Sequence, residues 1–194
     1  MGSFQGSLAN LTAPQLGGHA IRAALTRSGV PAEDIQDLIM GLCLFAGVKQ
    51  APARQAAHNA GIPWSAGATT ISKMCGSAMK ATMLAHDNIV AGSHKVMIAG
   101  GMESMSNAPY LLSKARGGYR LGKGEVVQDH MFIDGLEDAY DEGRLMGSYA
   151  EDTAEHYQFT RDSQDAFAIE SLTRAKNAVE DGTFAHEVEP ITVT

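Results

Sequence analysis

Three short apolar runs separated by helical patterns set narrow limits on how this chain can fold. The runs cover residues 35–44, 68–74 and 95–99, and the last of them leads into Gly100-Gly101. Helical patterns precede and separate the runs, over residues 13–28, 52–60 and 76–91. Strands that alternate with helices favour a mostly parallel sheet with helices on its faces. The sequence therefore predicts an α/β fold.

The pattern changes after about residue 106. Residues 113–124 contain several glycines and the basic side chains Lys114, Arg116, Arg120 and Lys123, which indicates an irregular basic loop. Two helices are predicted after this loop, over about 148–157 and 163–180, followed by a strand-like segment at 188–193. The basic loop could contact phosphates, although solvated surface charge is the commoner role of such a segment.

The composition excludes several classes of protein. A formal net charge of −7 argues against a nucleic-acid-binding protein and against a membrane-surface protein. The longest apolar stretch, at 38–48, is interrupted by glycine and is too short to cross a bilayer. Two cysteines give no disulfide framework, which favours a reducing compartment, and a cytoplasmic location is predicted.

Cys75 lies where the second apolar run meets the helix that opens with Gly76 and Ser77. A thiol at this junction faces the unpaired N–H groups and the positive dipole end of the helix, both of which favour the nucleophilic thiolate. The amides at Gly76 and Ser77 could also stabilise an oxyanion. A small buried hydrophobe is the common role of a free cysteine, and placement alone supports both roles equally. Cys43, mid-strand between Leu42 and Leu44, is assigned to the core.

The residues around Cys75 resemble the nucleophile segment of thiolases, commonly written N-K-x-C-[GA]-S-[GS]-x-K-A. The matching segment is SKMCGSAMKA at 72–81. Further blocks match the family in the same order: GSFQGSLA at 2–9, IMG at 39–41, PARQAA at 52–57, AGGMESMS at 99–106, DGL at 134–136, MG at 146–147 and TRDSQD at 160–165. The resemblance covers nearly the whole chain, and it identifies Cys75 as the predicted acyl-accepting nucleophile.

The resemblance implies the N-terminal half of a thiolase-like fold, with a mostly parallel sheet and helices on both faces. Residues 1–105 would form the N-terminal α/β domain, lacking the first strand of the family. Residues 106–194 would form part of the loop domain, which in the family serves coenzyme A binding and oligomerisation. The C-terminal domain of the family has no counterpart in this sequence.

The activity implied is an acyltransferase reaction of fatty acid metabolism. Two acetyl-CoA molecules would condense to acetoacetyl-CoA, or a 3-oxoacyl-CoA would be cleaved by coenzyme A, through an acyl-enzyme on Cys75. Leu136 and Met146 correspond to residues that line the coenzyme A pocket in the family. Coenzyme A thioesters would be the substrates, with no covalently bound cofactor and no metal, and the protein would be a homodimer or homotetramer. His86 and His94, eight residues apart, are too distant for a paired metal site on one helical turn.

The sequence departs from the family at individual positions and in a missing second half. Ser72 stands where the family usually has Asn, Ala78 stands where the family has Gly or Ser, and Leu145 stands where the family often has His. The second half of the family also brings a G-H-P histidine that activates the nucleophile and a C-x-G cysteine that removes the α-proton. Here no histidine precedes a proline and no cysteine follows Cys75. This chain alone is therefore expected to accept an acyl group without completing the condensation, and to associate through its unpaired sheet edges.

Two other functions compete with the acyltransferase. A non-catalytic module could bind acyl-CoA or lipid on the same scaffold, although a pure carrier has no need of the intact Cys75 segment. An unrelated cysteine hydrolase would require a partner histidine, and none of the seven histidines stands in a recognisable motif.

Overall fold

The computed structural model describes residues 1–122, 124 and 126–193. Lys123 of the predicted basic loop lies outside the described residues. The chain forms two compact units, residues 1–135 with residue 193, and residues 136–192. The domain division at residues 105 and 106, which follows from the family resemblance, stays a prediction.

The first unit contains the parallel sheet that the alternating pattern predicts. Its strands are β1 (Asp37–Gly41), β2 (Thr69–Ile71) and β3 (Met97–Gly101). β1 lies in the centre and pairs in parallel with both neighbours, so that Gly41 is opposite Ile71 on one side and Gly101 on the other. The central position explains why β1 is the most buried of the three strands.

Helices α1 (Ala13–Ser28), α2 (Pro52–Ala60) and α3 (Ser77–Val90) agree with the predicted helical segments to within a residue at each end. The N–H of Thr12 donates to Gln15 Oε1 at 2.8 Å, which fixes the start of α1. At its end, Gly29 adopts a left-handed φ of 68°. α1 packs closely on α2, since a Cβ at Gly18 would lie 2.5 Å from the Cβ of Asn59.

Side chains alternate between the two faces of β1. Leu38 and Met40 belong to the core formed with α1 and α2. Gly41 faces the opposite side, where its nearest neighbours are residues of α3. Helices therefore cover both faces of the sheet, as predicted.

The remaining elements of the first unit are short. β4 (Tyr110–Leu111) pairs in antiparallel fashion with β5 (Gln128–Asp129), and α4 (His130–Gly135) follows directly. The predicted basic loop lies between β4 and β5, and its described part includes the 3₁₀ turn Ala115–Gly117. The sequence reasoning missed β4, β5 and α4, because elements of two to six residues carry too few positions to show a period.

The second unit contains α5 (Met146–His156) and α6 (Arg161–Glu180). α6 begins two residues earlier than predicted because Thr160 caps it, its Oγ1 accepting the Ser163 N–H at 3.2 Å. The strand predicted at 188–193 is wrong: these described residues form no strand, and the Val188 N–H instead donates to the Phe184 carbonyl at 3.1 Å. Among the described residues, none of the helices combines the length and apolarity that crossing a bilayer requires.

Candidate active site

Cys75 lies in the tight turn between β2 and α3, one residue before the N-cap Gly76, and is exposed. The turn is closed by two backbone hydrogen bonds, from the Gly76 N–H to the Lys73 carbonyl (3.1 Å) and from the Ser77 N–H to the Met74 carbonyl (3.0 Å). Both amides are thus engaged inside the turn. The elbow that the sequence predicted is present, whereas the oxyanion role of Gly76 and Ser77 stays a prediction.

Met74, directly before Cys75, has a φ of 49°, in the left-handed region that a side chain of its size rarely adopts. Such a residue costs about 1–3 kcal/mol and persists only where its surroundings fix it. Here the buried hydroxyl of Ser77 fixes it, accepting the Lys73 N–H at 2.8 Å and donating to the Met74 carbonyl at 2.5 Å. Ser77 therefore holds the backbone on the N-terminal side of the nucleophile.

Two glycines at the ends of neighbouring strands let the start of α3 lie close against the sheet. A Cβ at Gly41 would lie 2.5 Å from the Ser77 Cβ and 2.7 Å from the Ala78 nitrogen, and one at Gly101 would lie 2.9 Å from the Ala78 Cβ. No side chain larger than hydrogen fits at Gly41 without moving backbone. This close approach places Cys75 at the carboxyl edge of the parallel sheet, where ligands of open α/β sheets bind.

Cys43 is not a mid-strand core residue, as the sequence suggested. β1 ends at Gly41, and Cys43 lies half-buried two residues later, with its Sγ 4.0 Å from the Ser77 Oγ. Burial, and next the negative charge of Glu103, raise the pKa of the Cys43 thiol. Both effects favour the protonated form of the Cys43 thiol.

Glu103 explains why β1 is shorter than the apolar run. Its Oε2 accepts the Cys43 N–H at 2.8 Å and its Oε1 accepts the Leu44 N–H at 3.2 Å. These two amides bond to a side chain instead of a neighbouring strand, so the ladder stops. In the sequence, Glu103 is part of the AGGMESMS block at 99–106, which assigned it no role of its own; a charged residue two positions after Gly101 was the available signal.

His130 fixes the next part of the same loop. Its Nε2 accepts the Ala46 N–H at 3.2 Å, and its Nδ1 lies 2.6 Å from the Asp134 Oδ2. With Nε2 as the acceptor of the Ala46 N–H, Nδ1 is the ring nitrogen that donates to the carboxylate. The loop after β1 is thus held at two places, by Glu103 at Cys43 and Leu44 and by His130 at Ala46.

Replacing His130 with phenylalanine is expected to lower the free energy of unfolding by about 2 kcal/mol, because the Ala46 N–H loses its partner in a partly buried site. Urea unfolding followed by circular dichroism measures the change. His86→Phe is the matched control: His86 also lies beside an aspartate, at 3.3 Å from Asp87, but is exposed, so its loss should leave stability within about 0.5 kcal/mol of wild type. Equal effects of the two substitutions would contradict the role assigned to His130.

Leu136 and Met146, the predicted coenzyme A contacts, lie together in the second unit. The Met146 N–H donates to the Leu136 carbonyl at 3.2 Å, and this bond joins the two ends of the loop at 137–145. Asp138 organises that loop by accepting the backbone N–H groups of Tyr140 and Asp141, and these bonds hold its pKa below the ordinary value. Both predicted contact residues are partly exposed, and their role toward coenzyme A stays a prediction.

No group of three or more His, Cys, Asp or Glu side chains that could hold a metal ion is present in the part of the chain that the structure describes. The basic side chains Arg116 and Arg120 are exposed. Their contact with phosphate stays a prediction.

Comparison with protein families and with curated proteins gives consistent matches. The family model for the N-terminal domain of thiolase matches residues 1–194. The chain is 46% identical over 193 residues to acetyl-CoA acetyltransferase A, mitochondrial, of Xenopus laevis, covering 100% of this chain and 45% of that protein. It is also 46% identical over 193 residues to the acetyl-CoA acetyltransferase of Cupriavidus necator, covering 100% and 49%. The mitochondrial acetyl-CoA acetyltransferase of Homo sapiens is 46% identical over 194 residues, covering 100% and 44%.

A solved structure gives the same result. The Acat5 thiolase from Ascaris suum, in complex with coenzyme A, superposes with a TM-score of 0.93 at 40% identity, over 99% of this chain and 49% of that chain. This likeness confirms the predicted thiolase-like α/β fold. The chain spans about half the length of the curated relatives it matches.

These relatives overturn the prediction of a cytoplasmic location. The Xenopus and human proteins are named as mitochondrial, although the Cupriavidus protein is bacterial. A low cysteine count indicates a reducing environment and does not distinguish one reducing compartment from another, which is why the composition misled.

Proposed function

Because this chain belongs to the thiolase family, we propose that it acts in an acetyl-CoA C-acetyltransferase and that its Cys75 sulfur carries the acyl group. The observation that carries the proposal is the exposed Cys75 thiol in a turn that Ser77 fixes at the start of α3. An exposed thiol at a helix N-terminus is placed to react, and the relatives of this chain are named for acetyl transfer.

In the proposed acylation, the Cys75 thiolate attacks the carbonyl carbon of an acyl-CoA. A carbon–sulfur bond to Cys75 forms, the bond to the coenzyme A sulfur breaks, and coenzyme A leaves as the thiolate, which takes up a proton. The positive end of the α3 dipole favours both the attacking thiolate and the negative charge that develops on the carbonyl oxygen. In the second stage, the carbanion of acetyl-CoA attacks the thioester carbon and releases Cys75. By the family resemblance, that stage requires a histidine and a second cysteine from the other half of the family fold.

We also propose that Leu136 and Met146 contact coenzyme A, that the pathway is fatty acid metabolism and that the active protein is a homo-oligomer. The Ascaris relative was solved with coenzyme A, which supports the ligand. Large exposed apolar side chains on α6, such as Phe167 and Leu172, support association, because burying apolar surface favours contacts between proteins.

Incubation with acetyl-CoA, followed by peptide mass spectrometry, tests the central step. We expect one acetyl group on the peptide that contains Cys75. Cys75→Ala should abolish the adduct, and Cys43→Ser, which removes the other thiol, should retain it. An acetyl group that survives Cys75→Ala, or a Cys75 peptide that stays unmodified, would exclude the acyl-enzyme and favour a non-catalytic module that binds acyl-CoA.

A further inference from the structure

Glu103 is a charged side chain close to the nucleophile that the proposed reaction leaves without a role. We propose that Glu103 is a positioning residue: it holds the backbone of Cys43 so that this thiol lies against Ser77, and its carboxylate charge disfavours a thiolate at Cys43, so that Cys75 is the thiol that reacts. The inference rests on the proposed function only in taking Cys75 as the nucleophile.

Glu103 fixes the position of Cys43 through the backbone. The Glu103 carboxylate uses one oxygen for the Cys43 N–H and the other for the Leu44 N–H, at 2.8 and 3.2 Å. Charge-assisted bonds of this kind are about twice as strong as neutral ones. They fix the backbone of Cys43 at the point where the chain leaves β1.

The Cys43 side chain lies beside the residue that fixes the turn before Cys75. Its Sγ is 4.0 Å from the Ser77 Oγ. The same Ser77 hydroxyl donates to the Met74 carbonyl at 2.5 Å and accepts the Lys73 N–H at 2.8 Å. A shift of Cys43 would therefore reach the backbone next to Cys75 through Ser77.

Glu103 also places a negative charge near the Cys43 thiol. Besides burial, the charged and titratable groups that act on Cys43 are Glu103, after β3, and Cys75, before α3, and both raise its pKa. Lys73, which precedes Cys75 in the same turn, is exposed. The Glu103 carboxylate thus opposes the thiolate form of Cys43, and the exposed Cys75 is the more accessible of the two thiols.

Alkylation by iodoacetamide, followed separately on the Cys43 and Cys75 peptides as a function of pH, tests the proposal. In Glu103→Gln the charge is lost, and one of the two amides faces an NH₂ group instead of an oxygen. We expect Cys43 to be alkylated about tenfold faster than in wild type near neutral pH, with its pH midpoint lowered. Cys75 should react about tenfold more slowly, because a shift of Cys43 would displace Ser77, which holds the turn before Cys75.

Glu103→Asp separates the two effects, since it keeps the charge and shortens the side chain. The pH midpoint of Cys43 should stay near that of wild type, while Cys75 should again react more slowly by severalfold. A mere contribution to folding would alter stability without moving the pH midpoint of Cys43.

The proposal is overturned if Glu103→Gln leaves both cysteines with wild-type rates and midpoints. If circular dichroism shows that Glu103→Gln is unfolded, Glu103→Asp decides, and a wild-type rate at Cys75 in that variant overturns the proposal. Alkylation requires no acyl-CoA, so a failure of acetyl transfer and a failure of this inference remain distinguishable.

Discussion

Replacing Gly41 with alanine is expected to lower the free energy of unfolding by about 3 kcal/mol or more. The new Cβ would lie 2.5 Å from the Ser77 Cβ and 2.7 Å from both the Ala78 nitrogen and the Ser77 carbonyl carbon. Two of these three atoms are backbone, so no rotamer change relieves the overlap. Either the central strand or the start of α3 must move, and the turn that carries Cys75 would move with it.

Gly100→Ala is the matched control, because Gly100 lies on the adjacent strand and pairs with Met40 in the same sheet. A Cβ at Gly100 meets nothing closer than the Met40 Sδ, at 3.5 Å. Its substitution should change stability by less than about 1 kcal/mol. Urea unfolding followed by circular dichroism measures the free energy of unfolding of both variants. The slopes of this free energy against urea concentration should be compared as well. A Gly41→Ala variant as stable as Gly100→Ala would show that α3 does not pack closely against β1 at Gly41.

The contrast between these two glycines shows what the sequence could and could not reveal. Helix positions were predictable because they depend on local periodicity and on end signals such as Thr12 and Gly29. The parallel sheet followed from the alternation of elements. Nothing local distinguishes Gly41 from Gly100, since the difference arises from residues 36 positions further along the chain, at Ser77.

The candidate site was predictable to a similar extent. Cys75 and its place at the start of α3 followed from the strand–helix junction and from the family resemblance. The apolar run at 35–44 gave no sign that β1 ends at Gly41, because the competing partner for Cys43 and Leu44 is a carboxylate from residue 103. Hydrogen bonds from a side chain to backbone groups 59 and 60 residues away produce no periodic pattern in the sequence.

The placement of Cys43 has the same cause. A cysteine between two leucines fits the pattern of a buried strand, and the error came from assuming that the strand continues as far as its apolar residues do. Once the strand stops at Gly41, Cys43 comes to lie against Ser77. A wrong element boundary of three residues thus hid a second thiol beside the predicted nucleophile.

Replacing Ser77 with alanine is expected to slow the reaction of Cys75 with iodoacetamide by about a hundredfold. The substitution removes the acceptor of the Lys73 N–H and one of the two donors to the Met74 carbonyl. Met74 can then relax from its φ of 49°, a change that relieves about 1–3 kcal/mol of strain. Because Cys75 is the next residue, this relaxation would turn its thiol away from the helix N-terminus.

The same substitution should lower the free energy of unfolding by only about 1–2 kcal/mol, the usual effect of leaving one partly buried donor unpaired. Thr82→Ala is the control on the same helix, since the Thr82 Oγ1 donates to the Ala78 carbonyl at 3.0 Å in an exposed position. That variant should keep the wild-type rate at Cys75. Peptide mass spectrometry measures the rates. A Ser77→Ala variant that is destabilised but alkylated at Cys75 as fast as wild type would mean that the hydroxyl supports the fold alone, and that the turn holds the nucleophile without it.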